Sequence, residues 1–148
     1  MKIMKVSHAL FMIVSYMSVT SSWAIDGSCP PSSQITKQCN DKECTYTATY
    51  PPEGLGWTSA RQRKENLDNS RPELNFKEAI ILIDKKVAPF VCVYSSAGYD
   101  NKDLRLLVSS PVKSTVNKDS NHWKENKQLN RWSCVDSDPA SCVFEYSQ

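Results

Sequence analysis

The six cysteines carry the clearest chemical signal in this chain. They are Cys29, Cys39, Cys44, Cys92, Cys134 and Cys142. Metal binding would need closely spaced thiolates, usually as CxxC pairs, and the sequence contains no such pair. An even number of separated cysteines is typical of a disulfide framework in an oxidising compartment. We therefore expect three disulfides, and we expect no bound metal or other cofactor.

Six cysteines allow many pairings, and the sequence alone does not choose among them. Local geometry nevertheless favours one set. Two cysteines bracket a tight loop, two lie on matching faces of a predicted C-terminal hairpin, and the remaining two would tie the N-terminus to a central strand. The favoured disulfides are Cys29–Cys92, Cys39–Cys44 and Cys134–Cys142.

His122 is the residue best suited to act as a general base. The other histidine, His8, lies in the N-terminal segment that we expect to be removed. A histidine-pair ribonuclease would need a second histidine, and a Ser-His-Asp triad would pass every proton through His122. The sequence contains no G-x-S-x-G elbow, no H-E-x-x-H motif and no Gly-rich phosphate loop. We expect a non-enzymatic protein; the alternative is a small hydrolase that uses His122 with a nearby carboxylate.

Three tryptophans follow the N-terminal segment, and one of them is the best candidate for molecular recognition. Trp57 follows a glycine-containing turn and Trp132 begins a predicted strand, so we expect both to be core anchors. Trp123 has polar neighbours, and an exposed tryptophan is a common hot spot of binding surfaces. The candidate binding residues are His122, Trp123, Lys124, Lys127 and Arg131, all within the basic stretch 113–131.

The first 24 residues have the composition of a secretory signal peptide. Two lysines precede an apolar run from Ala9 to Val19, and Ser22-Trp23-Ala24 offers a small-x-small cleavage site. The run is too short for a stable membrane anchor. We expect a leader at 1–24, a single domain at 25–148, and a secreted or periplasmic product.

The net charge of +2 comes from this leader. Removal of Lys2 and Lys5 reduces the number of basic residues from 18 to 16, which equals the number of acidic residues. A nearly neutral domain argues against a nucleic-acid binder, because such proteins depend on a strong positive potential. The expected partner is an unknown protein or glycan.

Short apolar segments predict a mostly β fold with little helix. In Cys44–Tyr50, threonines alternate with cysteine, tyrosine and alanine, which is the pattern of a half-buried strand. Phe76–Ile83 can be interpreted as a helix or as a strand, and a hairpin with Phe90–Tyr94 is the preferred interpretation. A strand at 104–108 and a final hairpin of 131–135 with 141–146 complete the set.

Two long polar segments, Thr58–Arg71 and Ser114–Asn130, separate these strands. The first has the signals of a short helix that begins at Ser59, with Gln62 in the capping-box position. The second is expected to be a loop around Trp123. Short strands joined by such loops predict a small antiparallel β-sandwich or barrel, braced by disulfides.

Several short motifs follow one another along the expected mature domain. They are Cys29-Pro30, Gly56-Trp57-Thr58-Ser59, Phe76 with Ala79, Val91-Cys92-Val93-Tyr94, and Trp132 with Cys134 and Cys142-Val143-Phe144. Together they resemble a family of small exported bacterial proteins whose single Cys-Pro-led domain has no known function. The resemblance implies Gram-negative export and supplies no catalytic residue. Cys39 and Cys44 look like an addition to the cysteine pattern of that family.

These features favour an exported, non-enzymatic protein that binds a macromolecular partner. Trp123 and the basic stretch 113–131 are the expected contact region. A hydrolase inhibitor is a further alternative, in which the polar loop 95–103 would act as the inhibitory segment.

Overall fold

The computed structural model describes residues 24–50, 55–63, 73–83, 90–97, 103–108, 113–116 and 120–147. The expected leader, apart from residue 24, lies outside these ranges. The described residues form twelve β-strands and two one-turn 3-10 helices, Ser32–Gln34 and Pro139–Ser141, neither of which is long or apolar enough to cross a membrane. The strands are β1 (Ile25–Gly27), β2 (Thr36–Cys39), β3 (Glu43–Thr49), β4 (Gly56–Ser59), β5 (Gln62–Arg63), β6 (Glu73–Leu82), β7 (Phe90–Ala97), β8 (Leu104–Val108), β9 (Lys113–Val116), β10 (Trp123–Asn126), β11 (Arg131–Cys134) and β12 (Phe144–Ser147).

The strands of the described residues form two antiparallel sheets. The larger sheet has the order β10-β11-β6-β7-β8-β4-β3-β2, with β5 added beside β3, and the smaller sheet has the order β1-β12-β9. The end strands β10 and β2 of the larger sheet do not pair with each other within the described residues. The prediction of a mostly β fold is confirmed, and of the two predicted architectures the sandwich is the one that forms.

An aromatic cluster joins the two sheets. Phe90 of β7 stacks on Phe144 of β12, with ring centroids 3.8 Å apart. Trp57 of β4 meets both rings edge-on, at centroid distances of 5.6 and 6.4 Å. All three side chains are buried. Removal of such large apolar surfaces from water contributes roughly 2 kcal/mol per side chain and holds the sheets face to face.

Two consecutive residues of the N-terminal segment, Cys29 and Pro30, bind it to β7. Cys29 forms a disulfide with Cys92. The Tyr94 hydroxyl donates a hydrogen bond to the carbonyl oxygen of Pro30 at 2.5 Å. Burial, with a smaller contribution from nearby Tyr50, raises the pKa of the Tyr94 phenol far above its usual value. The phenol therefore remains protonated and able to donate.

The three disulfides are the pairs expected from the sequence: Cys29–Cys92, Cys39–Cys44 and Cys134–Cys142. Together they indicate an oxidising environment, extracellular or periplasmic.

The predicted C-terminal hairpin is wrong, although its disulfide forms. β11 pairs with β10 and β6, whereas β12 pairs with β9 and β1. Between β11 and β12, Asp138 caps the one-turn helix Pro139–Ser141 by accepting a hydrogen bond from Ala140 N at 2.9 Å. This turn takes the chain from the larger sheet to the smaller one. Cys134–Cys142 therefore links the larger sheet to the entry of β12 in the smaller sheet.

The ambiguous segment 76–83 is a strand. Residues 76–82 lie in β6, which forms the preferred hairpin with β7, and Ile81 is opposite Phe90; Ile83 follows in a turn. The strand expected at Cys44–Tyr50 is β3, and the strand expected at 104–108 is β8.

The short helix expected from Ser59 is wrong, because Ser59 ends β4 and Gln62 begins β5. The Ser59 hydroxyl accepts a hydrogen bond from Tyr46 N of β3 at 2.9 Å, so it binds the neighbouring strand instead of capping a helix. Residues 64–71 of that prediction lie outside the described ranges. The expected polar loop 114–130 also contains two strands, most of β9 and all of β10.

Candidate functional site

The five candidate binding residues lie in or directly beside the β10–β11 hairpin. The two strands pair from Trp123 opposite Cys134 to Asn126 opposite Arg131. β10 is an end strand of the larger sheet. The structure thus brings the candidates into one hairpin, but their surroundings differ.

Trp123 is a core residue, and the expectation that it is exposed is wrong. It is 7% exposed, and its ring meets Phe90 edge-on at a centroid distance of 6.1 Å. The indole Nε1 donates a hydrogen bond to the carbonyl oxygen of Val143 at 2.6 Å. Trp123 is buried because side chains alternate between the two faces of a strand. In β10 this alternation directs Trp123 inward with Cys134, while its polar neighbour Lys124 is exposed.

The two expected core tryptophans differ in burial. Trp57 is buried at the centre of the aromatic cluster. Trp132 is partly buried and packs against the edge of the core.

Arg131 is already engaged within the protein. Its Nη2 donates to Glu78 Oε1 of β6 at 3.1 Å, and both side chains are largely covered. The pair lies where β11 meets β6, since Arg131 is opposite Leu82. Arg131 therefore stabilises the packing of the hairpin on the sheet rather than extending a free cation to a partner.

The exposed part of the hairpin is its tip and the outer side of β10. Lys124 and Lys127 are exposed, and Leu129 is 57% exposed. The turn is internally bonded, because Asn126 Oδ1 accepts from Leu129 N at 3.0 Å and Asn130 adopts a left-handed backbone with φ of 48°. The turn therefore presents the apolar Leu129 and the cationic Lys127, and Lys124 lies on the adjoining strand β10.

His122 and Asp136 contact each other beside this hairpin. The imidazole Nδ1 lies 3.1 Å from Asp136 Oδ2, and about half of the His122 side chain is exposed. Hydrogen bonds lower the pKa of the Asp136 carboxyl, that from the Asp138 backbone first, with smaller contributions from the Ser137 backbone and from His122. The Ser120 hydroxyl accepts a hydrogen bond from His122 N at 3.3 Å. The aspartate therefore contacts the imidazole ring, whereas the serine contacts the backbone of His122.

A second candidate site, which the sequence did not single out, lies at the turn between β2 and β3. It is a hollow of about 390 Å³. We call it the β2–β3 hollow and define it by the polar side chains Gln38, Asn40, Glu43, Thr45 and Arg61 and by the Cys39–Cys44 disulfide. The sequence signal that was available is the tight loop between these two cysteines.

Asn40 shapes this turn. Its Oδ1 accepts hydrogen bonds from Lys42 N at 2.9 Å and from Glu43 N at 2.7 Å. Across the hollow, Arg61 Nη1 lies 3.7 Å from Glu43 Oε2, and most of the Arg61 side chain is in solvent. A separation of 3.7 Å is longer than a charge-assisted hydrogen bond.

Within the described residues, no group of three or more His, Cys, Asp or Glu side chains is placed to hold a metal ion. The candidate sites within the described part of the chain are the hairpin tip, the His122–Asp136 pair and the β2–β3 hollow.

A family model described as a protein of unknown function, DUF3757, matches residues 20–145. The match covers most of the chain, and the chain belongs to this family. A search of curated proteins found no significant match, and a search of solved structures found none either.

Proposed function

We propose that this DUF3757 member is an exported, non-enzymatic protein that binds a protein partner through the tip of the β10–β11 hairpin. The three disulfides support a site of action outside the reducing cytosol. The observation that carries the proposal is Leu129, a large apolar side chain that is 57% exposed and lies on a hydrogen-bonded turn.

The hairpin is rigid enough to act as a binding element. Buried Trp123 and the Cys134–Cys142 disulfide fix its base, and the Arg131–Glu78 pair fixes its inner side. A preorganised tip loses little conformational entropy on binding, which favours affinity. The exposed Lys124 and Lys127 outnumber the exposed Glu125, and this excess of positive charge favours a partner with an acidic rim around an apolar pocket.

Site-specific photo-crosslinking in the exporting cell tests this proposal. A photoreactive residue replaces Gln128, which is exposed at the tip, or Thr115, which is exposed on β9. We expect a discrete protein adduct from position 128 that disappears with Leu129→Ser, and no such adduct from position 115. Equal labelling at both positions, or no adduct from position 128, would contradict a partner at the tip.

The His122–Asp136 pair favours a second candidate function, a small hydrolase. In a Ser-His-Asp triad the carboxylate accepts from the imidazole Nδ1–H while Nε2 takes the proton of the nucleophile. The 3.1 Å contact involves Nδ1, and no described residue forms a hydrogen bond with Nε2. The arrangement supports His122 as the base, whereas the Ser120 hydroxyl is bonded to the backbone N of His122 and not to its imidazole ring.

Turnover measurements separate the two functions. The oxidised protein is assayed on peptidoglycan, nucleic-acid and peptide substrates, beside His122→Ala and Asp136→Asn. A hydrolase requires turnover that both variants reduce by at least about a hundredfold, since general-base catalysis contributes that much. Turnover that is absent, or that His122→Ala retains, rejects the hydrolase and leaves the binding protein.

A further inference from the structure

We propose that the β2–β3 hollow binds a neutral, polyhydroxylated ligand, namely the end of an uncharged glycan. The inference goes beyond the protein partner proposed for the β10–β11 hairpin, because it concerns a different end of the larger sheet. A volume of about 390 Å³ lies in the range of small-ligand sites and accommodates a sugar ring.

The side chains of the hollow offer donors and acceptors at neighbouring positions. Because Asn40 Oδ1 is already bonded to two backbone N–H groups, its amide NH₂ remains as a donor. The Glu43 carboxylate accepts, the Arg61 guanidinium donates, and the Gln38 amide does both. Each of two neighbouring hydroxyls on a sugar ring can likewise donate one hydrogen bond and accept another. The hollow therefore matches a diol better than it matches a ligand with acceptors alone.

The charges in the hollow favour a neutral ligand. Glu43 and Arg61 are its charged side chains among the described lining residues, and they cancel. An anion would bind Arg61 but would be repelled by Glu43 a few ångströms away. The 3.7 Å separation leaves both groups free to turn toward a ligand without the loss of a short ion pair.

A row of hydroxyls on the outer face of the sheet extends the hollow. Thr45 of the hollow is opposite Gln38, and two residues further along β3, Thr47 is opposite Thr36 on β2 and Thr58 on β4. Alternation places these threonines on the face opposite to buried Tyr46 and Ala48. Thr36 is exposed, and Thr47 and Thr58 are partly exposed. This uncharged row gives a glycan longer than one sugar a surface to follow away from the hollow.

Calorimetry and NMR titration of the oxidised protein test the proposal. The probes are three neutral trisaccharides, cellotriose, chitotriose and maltotriose, with trigalacturonic acid as the acidic counterpart. We expect at least one neutral probe to bind with a Kd below about 1 mM and to shift the resonances of Gln38, Thr45 and Arg61. Glu43→Gln and Arg61→Gln each weaken that affinity at least tenfold.

Two controls make the result specific. Lys42→Gln removes a charge from the same turn without changing a lining side chain, and we expect it to leave the affinity unchanged. Thr47→Val keeps the side-chain volume but removes a hydroxyl of the threonine row, and we expect it to weaken binding of the trisaccharide. Binding of none of the neutral probes, tighter binding of trigalacturonic acid, or full affinity in Glu43→Gln and Arg61→Gln overturns the proposal. Leu129→Ser at the hairpin tip leaves glycan affinity unchanged, so a failure of the protein-partner proposal can be distinguished from a failure of the glycan proposal.

Discussion

Beside the Cys29–Cys92 disulfide, a phenol connects the N-terminal segment to the middle of the larger sheet. Tyr94 is fully buried, and its hydroxyl is the hydrogen-bond donor to the Pro30 carbonyl oxygen. Tyr94→Phe leaves that carbonyl without a partner while it keeps the ring. We expect a loss of about 1–3 kcal/mol in the free energy of unfolding, measured by urea denaturation of the oxidised protein.

The same substitution should change how stability responds to alkali. The pKa of Tyr94 is raised in the folded protein, mainly by burial, above the value of about 10 expected when it is unfolded. Its stabilising contribution is therefore fully present below pH 10 and is lost as the pH rises beyond it. Tyr94→Phe removes part of this decline in the free energy of unfolding at alkaline pH. Burial also raises the pKa of Tyr146, which accounts for a further part of the decline. An unchanged slope above pH 10 would contradict this role.

Asp136 should contribute to the decline of stability in acid. Its pKa is lowered first by the hydrogen bond from the Asp138 backbone, and further by Ser137 and His122. The contribution is present above the unfolded pKa of about 4 and is lost as the pH falls through the lower, folded value. In urea denaturation between about pH 2 and pH 6, Asp136→Asn is expected to have a flatter acid slope. Asp41→Asn, at an exposed carboxylate of the β2–β3 turn, is the control, and an equal flattening there would refute the assignment.

Among the elements, the β10–β11 hairpin divides into a structural base and an exposed tip. Trp123→Ala removes a core indole and its hydrogen bond to Val143, so we expect a loss of about 3–5 kcal/mol in unfolding free energy. Lys124→Ala, one residue further along and exposed, should change that free energy by less than about 0.5 kcal/mol. Thermal and urea denaturation measure both. A Trp123→Ala protein as stable as Lys124→Ala would contradict the core position.

The polarity of neighbouring residues misled the sequence interpretation of that hairpin. Asn121, His122, Lys124 and Glu125 are exposed as expected, but an end strand needs only one inward residue in two, and Trp123 takes that position. β3 and the β6–β7 hairpin were predictable, because each has a regular alternation or a β-branched apolar run. Which strands pair with each other was not predictable, because Cys134 faces inward whether β11 pairs with β12 or with β6, and Cys142 ends the one-turn helix that precedes β12.

The candidate sites also depend on contacts between residues that are distant in sequence, which the sequence alone does not reveal. His122 could be named from the sequence because it is a rare residue type, but its contact with Asp136 depends on the turn after β11. The β2–β3 hollow brings Arg61 to Glu43 across strands that are separated in sequence. Gln38, Thr45 and Arg61 are common surface residue types, so only the folded arrangement distinguishes them.

For the whole molecule, the three disulfides should contribute unequally to stability. Cys29–Cys92 spans a sequence separation of 63, whereas Cys39–Cys44 spans 5. By loop-closure entropy, loss of the first costs about 4 kcal/mol and loss of the second about 2 kcal/mol. Denaturation of the double variants Cys29→Ala/Cys92→Ala and Cys39→Ala/Cys44→Ala tests this order. A greater loss for the shorter loop would show that native-state contacts, and not chain entropy, dominate.

The pairing of β1 with β12 has a consequence for biosynthesis. β1 is the first described strand and β12 the last, and Ile25 is opposite Tyr146. A ribosome delivers β1 early, yet its hydrogen-bonding partner exists only once β12 has been translated. β12 also supplies Phe144, the ring on which Phe90 stacks. The smaller sheet therefore assembles only after β12 has been translated, and until then the larger sheet has an uncovered apolar face, which is a feature that promotes aggregation.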